Sequence, residues 1–269
     1  MKITRAGTEP AADPTPAAVV RPVAVWLAGR IGYEAYASVA ERLAWEVSEP
    51  GGRCPTLLVC ELEPAITIGR LGSRADVLLG DDELRARRLA VRFTGRGGGA
   101  VPHVPGQVYA ALFASLADLG LAPHDAGGLE DRFTAGLAAA LAQVRCGPVR
   151  VPGVPGVFGR TGLLAAVGLA VRRGVACHGG FVNVCPAPDL LPLVHAVPEA
   201  CRGSAVPAVT MGSIEADLQR HVRPQDVRTA LVHALAAAFR FPRTLVHSGL
   251  PVPVPAAGRR PAEVTSHVG

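Results

Sequence analysis

Apolar residues along the chain alternate between short continuous runs and longer stretches with helical spacing. Continuous runs at residues 19–27, 56–61 and 108–113 predict buried strands, because a strand covered on both faces carries few polar positions. Further apolar runs predict strands at residues 64–68, 89–93, 163–171 and 181–184. The last two are expected to pair, with separators at residues 172–174 and 177–179.

Helices are predicted where apolar residues recur every three or four positions. Residues 33–47 carry Tyr36, Val39, Leu43 and Val47 on one face, with charged residues outward. The same period predicts helices at 125–144 and 225–241, the latter ended by Pro242, and shorter ones at 81–88 and 213–222.

Strands and helices intermix throughout, which predicts one α/β (α+β) domain over residues 19–243, a mixed sheet with packed helices. Residues 1–18 are Pro/Ala-rich and predict a disordered leader. Residues 244–269, rich in Pro, Ala and Arg, predict a disordered tail.

Composition narrows the function classes. The net charge of +5 is carried by arginine, since Lys2 is the only lysine, and aromatic residues make up only 4%. With so few stacking groups, nucleic-acid binding is not expected. No apolar run reaches about 18 residues, so no membrane span is expected. The six cysteines show no CxxC spacing, which argues against zinc and disulfide scaffolds and favours a reducing cytoplasm.

A glycine-rich stretch at residues 95–107 stands out between two predicted strands. It places Arg96 and His103 among clustered glycines. Such a loop can be a flexible connection, or its backbone N–H groups can converge on a bound group. Its position between two buried elements favours the ligand-binding interpretation.

Three segments in order resemble one known family. Arg96, Gly97, Gly98, His103 and the Pro-Gly-Gln at 105–107 match a motif of the lipoyl(octanoyl) transferases, relatives of the lipoate and biotin protein ligases. Pro102 and Val104 depart from that motif. Further matches are Thr67–Arg70, Pro155–Phe158, Ala166–Gly168, Arg172–Gly174, His178–Gly179 and Asn183–Val184, so that the resemblance spans residues 22–240.

This resemblance implies a biotin/lipoate protein ligase type of fold and a ping-pong acyl transfer without a cofactor. A cysteine takes octanoyl from acyl carrier protein as a thioester and passes it to a lysine of a lipoyl domain. The implied acceptors are the E2 subunits of 2-oxo acid dehydrogenases and the glycine cleavage H protein. The implied substrate-binding residues are Arg96, Gly97, Gly98, Gly99, Ala100, Val101, Pro102, His103, Ala166, Val167, Gly168, Gly179, Gly180 and Phe181.

The nucleophile is assigned by position. The family cysteine lies in a Pro-Cys-Gly element, and Cys201 is the cysteine at about the right distance before Val209. Alignment on Pro198 would instead place Glu199 there, which cannot form a thioester. The third alternative is that Cys201 is a small buried residue without a catalytic role.

The family lysine that lowers the pKa of the cysteine falls at Leu163 here. An unassisted thiol is only a few per cent thiolate at neutral pH. His178, Arg160 or Arg70 could replace the lysine electrostatically. The absence of the lysine also argues against the adenylating ligases of the superfamily.

Two histidines occupy family positions, His103 and His178, and are expected to line the substrate site rather than act as a general base. Cys177 precedes His178 directly, and the two are not expected to form a dyad because neighbouring strand residues face opposite ways. The leading hypothesis is therefore an octanoyltransferase with Cys201 as the nucleophile. The second is a non-catalytic or weakly active paralogue that binds an acyl chain or a lipoyl domain, and the third is an acyltransferase for another substrate.

Overall fold

The structure is a computed structural model, and it describes residues 21–197 and 210–253. Its strands are β1 Val23–Ile31, β2 Thr56–Leu62, β3 Ala65–Ile68, β4 Ala90–Phe93, β5 Ala100–His103, β6 Gln107–Ser115, β7 Val149–Arg150, β8 Gly156–Gly159, β9 Gly162–Arg172, β10 Val175–Asn183 and β11 Thr244–Ser248. Its α-helices are α1 Tyr33–Ser48, α2 Asp81–Ala86, α3 Ala126–Gln143, α4 Ile214–Leu218 and α5 Pro224–Ala238. Short 3-10 helices occupy Arg74–Asp76 and Pro188–Leu193.

The large sheet has eight strands in the order β11-β1-β2-β6-β10-β9-β8-β7. β1 pairs in parallel with both β11 and β2, and the remaining neighbours are antiparallel. The predicted mixed sheet with packed helices is therefore confirmed. β3 lies between β4 and β5 in a second, three-stranded sheet.

Alternate residues of the central strands belong to two different cores. On β2, Leu57 and Val59 pack in one core, whereas Leu58 and Cys60 pack in the other. α3 and α5 cover the first face, because residues such as Leu137 lie in the first core. α1 and the small sheet cover the second face. Burial on both faces explains why the strands are almost uniformly apolar in sequence.

The predicted boundary after residue 243 is wrong. Residues 244–248 form β11, whose Thr244 pairs with Val23 and whose Ser248 pairs with Leu27. The Gly249 amide then donates to the Leu27 carbonyl at 3.0 Å. The ordered fold thus continues to residue 253, and the proposed leader at 1–18 and the rest of the tail lie outside the described residues.

Two other predictions are corrected. The separator at residues 177–179 does not exist, because β10 runs through it and turns back on β9 at Arg173 and Gly174 alone. The helix predicted at 213–222 spans only α4, since Ser213 caps its N-terminus and Gln219 adopts a left-handed conformation (φ 50°) that ends it. Among the described residues, no helix is long and apolar enough to cross a bilayer.

Candidate active site

A cleft opens where the glycine-rich loop between β4 and β5 lies over the centre of β9 and β10. Most of the predicted substrate-binding residues line it: Arg96, Gly98, Gly99, Val101, His103, Ala166, Val167, Gly168, Gly179, Gly180 and Phe181. Gly168 and Gly179 are direct partners in the β9–β10 ladder, so the family motifs on these two strands lie side by side. The motifs are distant in sequence and become neighbours through the sheet.

Three predicted residues are next to the cleft without lining it. The Gly97 amide donates to the Leu169 carbonyl at 2.8 Å, which fixes the loop on β9. Ala100 and Pro102 are buried in β5, paired with Ile68 and Ile66.

The glycines around the loop have a structural use that the sequence pattern did not reveal. A Cβ atom on Gly69 would lie 2.9 Å from Nη1 of Arg96, and one on Gly168 would lie 3.2 Å from it. A Cβ atom on Gly97 would lie 2.7 Å from the Leu169 carbonyl oxygen. Gly69 and Gly168 thus make room for the loop carbonyls as well as for the guanidinium.

The free donors are the amide groups of Gly98 and Gly99. Within residues 21–197 and 210–253 they donate to no acceptor, whereas the carbonyls of both residues accept bonds from Leu71 and Gly69. Both glycines line the cleft. A short pair of unused N–H groups beside a cavity is suited to a carbonyl oxygen or an oxyanion.

Arg96 is a buried cation, 6% exposed, that lines the same cleft. Its guanidinium donates to neutral oxygens: the carbonyls of Gly97, Thr67 and Gly99, each at 2.9 Å, and the Thr67 hydroxyl at 2.8 Å. No carboxylate pairs with it in the described part of the chain. Burial lowers its pKa, partly opposed by Tyr109. The positive charge is therefore uncompensated next to the cleft.

His103 is neutral. It is 2% exposed, and burial, with the Arg96 charge as a second cause, lowers its pKa to about 3. Nε2 lies 2.9 Å from the Thr67 hydroxyl. Nδ1 is buried and has no hydrogen-bond partner among the described residues.

A row of buried amides lies next to His103 in the chain. Nε2 of Gln107 donates to the Pro102 carbonyl at 3.2 Å and to Oδ1 of Asn183 at 3.0 Å. Nδ2 of Asn183 then donates to the Gly212 carbonyl at 3.0 Å. These bonds link β5 to the segment that begins at residue 210.

Two buried tyrosines complete this side of the cleft. The Tyr36 hydroxyl lies 3.1 Å from the Tyr109 hydroxyl and 3.1 Å from Nδ1 of His178. The ring of Tyr109 meets that of His103 edge-on. Burial, followed by the charges of Arg172, Arg96 and Arg70, lowers the pKa of His178 to about 4. His178 is thus also neutral near pH 7 and cannot act as the cation that replaces the lysine.

Leu163, which the sequence resemblance aligns with the family lysine, is a buried part of the cleft wall. Ala196 and Val197, the last described residues before the gap at 198–209, line the cleft as well. Thr210, the first residue after the gap, accepts a bond from Leu163. Cys201, with its alternatives at Pro198 and Glu199, lies outside the described residues.

None of the described residues that line the cleft is a cysteine. Burial raises the pKa of Cys177 and Cys146 to about 11 and that of Cys60 to about 12. Cys177 donates to the Val175 carbonyl, whereas Nδ1 of His178 lies 3.1 Å from the Tyr36 hydroxyl. These thiols stay protonated at neutral pH.

The arginines considered as lysine substitutes do not line the cleft. Arg160 donates to the main-chain carbonyl of Asp217, in α4. Arg70 is exposed. In the described part of the chain, Arg96 is the cation that lines the cavity, and no cluster of His, Cys, Asp or Glu there could hold a metal ion.

Several polar residues of the site were not singled out for a role from the sequence. They are Thr67, Gln107, Asn183, Tyr36 and Tyr109. Three of them belong to matched motifs, but single Thr, Gln and Asn residues carry no spacing signal of their own. The helical pattern predicts Tyr36 on the apolar face of its helix, and its ring is buried there. The pattern does not predict the hydrogen bonds of its hydroxyl group.

Comparisons with known proteins identify the class. The lipoyl protein ligase A/B catalytic domain matches residues 34–236, and the chain belongs to that family. Among curated relatives, the octanoyltransferase of Citrifermentans bemidjiense is 34% identical over 68% of this chain and 83% of its own length. The octanoyltransferase of Geotalea uraniireducens is 32% identical over 74% and 85%, and that of Roseiflexus sp. RS-1 is 31% identical over 86% and 93%.

Solved structures agree on the fold. A lipoate-protein ligase A bound with ATP has a TM-score of 0.64 at 15% identity, covering 85% of this chain and 89% of its own. A lipoate protein ligase from Thermoplasma acidophilum with bound lipoic acid has a TM-score of 0.62 at 16% identity, covering 86% and 90%. The predicted biotin/lipoate protein ligase type of fold is confirmed.

Proposed function

We propose that this protein is an octanoyltransferase of lipoate biosynthesis, which moves octanoyl from acyl carrier protein to a lysine of a lipoyl domain. The observation that carries the proposal is the cleft between the Arg96 loop and the β9–β10 glycines, in a chain about one-third identical to octanoyltransferases over most of its length. The expected acceptors are E2 lipoyl domains and the glycine cleavage H protein.

The cleft suits an acyl thioester at both of its ends. Val101, Leu163 and Phe181 offer apolar walls to the hydrocarbon chain, where each buried methylene contributes roughly 0.8 kcal/mol. The free amides of Gly98 and Gly99 and the charge of Arg96 lie in the same cavity. These donors would stabilise negative charge on the carbonyl oxygen as the thioester is attacked.

Cys201 is the proposed nucleophile. Its thiolate attacks the octanoyl carbonyl carbon, and the thiol of the carrier protein leaves as the cysteine thioester forms. The amine of the acceptor lysine then attacks that thioester, loses a proton, and releases the cysteine. Two observations support the choice: the residues that flank the gap at 198–209 lie at the cleft, and the described cysteines lie outside it.

Arg96 is the proposed source of positive charge for the thiolate, in place of the missing lysine. It is buried and uncompensated, and a cation near a thiol favours the ionised form. The alternative of a non-catalytic paralogue, suggested by Leu163, is not favoured, because the relatives named as octanoyltransferases cover most of the chain.

The test is a transfer assay with purified full-length protein, octanoyl acyl carrier protein and a lipoyl domain, read by the intact mass of the domain. A mass increase of one octanoyl group without ATP is expected. Free octanoate with ATP is the comparison that detects a ligase, and it should give no product. Product only with octanoate and ATP would refute the transferase assignment.

A further inference from the structure

The hydrogen-bonded side chains in the cleft wall end on groups that can only donate or only accept. These end groups determine where the protons of the side chains lie. Arg96 at one end can only donate hydrogen bonds, and the main-chain carbonyls of Pro102 and Gly212 at the other end can only accept. Each group that is connected to one of these ends by hydrogen bonds can therefore be assigned one orientation.

Thr67 is the first member after Arg96. Its hydroxyl oxygen accepts from Nη2 of Arg96 at 2.8 Å and from Nε at 3.3 Å, which uses both of its lone pairs. Its own proton has one remaining neighbour, Nε2 of His103 at 2.9 Å. The hydroxyl must donate to that nitrogen, so Nε2 carries a lone pair.

The amides next to His103 agree with this assignment. Both amide hydrogens of Gln107 are used, on Pro102 and on Asn183, because Asn183 itself must donate to the Gly212 carbonyl. Gln107 therefore has no hydrogen left to donate to Nδ1 of His103, and Nδ1 has no partner among the described residues. Nothing on this side of the ring requires a lone pair on Nδ1, which agrees with a proton there.

We propose that Thr67 is a positioning residue that holds His103 as the neutral tautomer with its proton on Nδ1. In this state the ring is a hydrogen-bond donor in the cleft wall, and its Nε2 lone pair is occupied by the Thr67 proton. His103 then cannot take a proton from the cysteine or from the acceptor lysine. It can donate from Nδ1 to an oxygen of the bound acyl group, and this consequence rests on the proposed function.

The buried Nδ1 atom supports this role. It has no partner at hydrogen-bond distance in the part of the chain that the structure describes, although His103 lines the cavity and is almost fully buried. A buried donor without a partner is costly, and such groups concentrate where a ligand supplies the missing acceptor. A neutral donor also brings no charge next to Arg96.

The test is ¹⁵N NMR of the histidine side chains in the full-length protein, with His103→Gln used to assign the signal. In the wild type, Nδ1 should be the protonated nitrogen and Nε2 the unprotonated one, unchanged from about pH 5 to about pH 8. Thr67→Val removes the hydroxyl at nearly constant shape and should convert the ring partly or wholly to the Nε2–H tautomer. Thr67→Ser keeps the hydroxyl and should retain Nδ1–H.

A wild-type ring protonated on Nε2, or a Thr67→Val ring that keeps Nδ1–H, would overturn the proposal. Thermal unfolding of both variants shows whether each is folded, and if Thr67→Val does not fold, the wild-type and Thr67→Ser spectra still decide the tautomer. The NMR measurement does not need enzymatic activity. A protein that fails to transfer octanoyl can therefore still confirm or refute the proposed tautomer of His103. Where transfer is measured, Thr67→Val should lower kcat about tenfold with little change in KM, and Thr67→Ser should restore it.

Discussion

The amide of Leu163 donates to the carbonyl of Thr210 over 2.9 Å, and the Leu163 carbonyl accepts from the Gly212 amide at 3.0 Å. The start of β9 is thereby bonded to the first residues after the gap at 198–209. Leu163 is also part of the cleft wall, and the sequence resemblance aligns it with the family lysine. Substitution of the Leu163 side chain can therefore test how the thiol of the proposed nucleophile, Cys201, is activated.

Leu163→Lys should move thioester formation to lower pH. An ammonium group near the thiol favours the thiolate, and a shift of about one pH unit in the midpoint is expected. The measurement is the rate of octanoyl adduct formation by intact mass, as a function of pH.

Leu163→Met is the matched control, because it has similar length without charge. Both replacements disturb the same buried position, so a difference between them reports the charge alone. Identical pH profiles for the two variants would refute an electrostatic link between this position and the nucleophile.

Gly168→Ala should displace the Arg96 guanidinium. The new Cβ atom would lie 2.9 Å from the Gly97 carbonyl oxygen and 3.2 Å from Nη1 of Arg96, tighter than normal contact. We expect a loss of roughly 1–3 kcal/mol in the free energy of unfolding, and slower adduct formation because the cleft is narrowed.

Gly147→Ala is the control for Gly168→Ala, since no atom lies within 4 Å of its added Cβ. It should keep wild-type stability within about 0.5 kcal/mol. A Gly168→Ala protein with both the Tm and the adduct rate of the wild type would show that the guanidinium does not depend on this glycine.

Stability should fall in mild acid partly through His178. Its pKa is about 4 in the folded protein, below the ordinary value of 6.5, so the unfolded chain binds more protons between these values. Stability is therefore fully present above about pH 6.5 and is lost as the pH falls towards 4, by on the order of 1 kcal/mol per pH unit.

His178→Asn removes this titration. Asparagine tolerates the left-handed conformation of this residue (φ 65°) and can still face the Tyr36 hydroxyl. Urea unfolding at pH 7 and at about pH 5 measures the effect. The variant should lose less stability than the wild type over this interval, and an equal loss would contradict the assigned cause.

The ordered motifs predicted the cleft because each lies on a strand or loop that the sheet brings to one place. Arg96, Gly168 and Gly179 are separated along the chain. In the fold, the strands that carry Gly168 and Gly179 are paired, and the loop that carries Arg96 lines the same cleft. Periodicity predicted α1 and α3 within a residue or two, since their buried faces are regular.

The features that the sequence did not predict depend on contacts between residues distant in the chain. β11 is exposed along its whole length and forms by parallel pairing with β1, so no local apolar pattern marks it. The bonds that Thr67 forms with Arg96 and His103 likewise join separate parts of the chain. The glycines of the loop at 95–107 were predicted to offer backbone donors, and among the described residues the amides of Gly98 and Gly99 are free, whereas that of Gly97 donates to Leu169.

The central claim is that Cys201 carries the octanoyl group during transfer, and intact mass tests it most directly. The wild type, Cys201→Ser and Cys177→Ser are each incubated with octanoyl acyl carrier protein and then treated with hydroxylamine. The account predicts a hydroxylamine-labile adduct of one octanoyl group in the wild type and in Cys177→Ser, and none in Cys201→Ser. An adduct that persists in Cys201→Ser, or no wild-type adduct between about pH 6 and about pH 9, would contradict it.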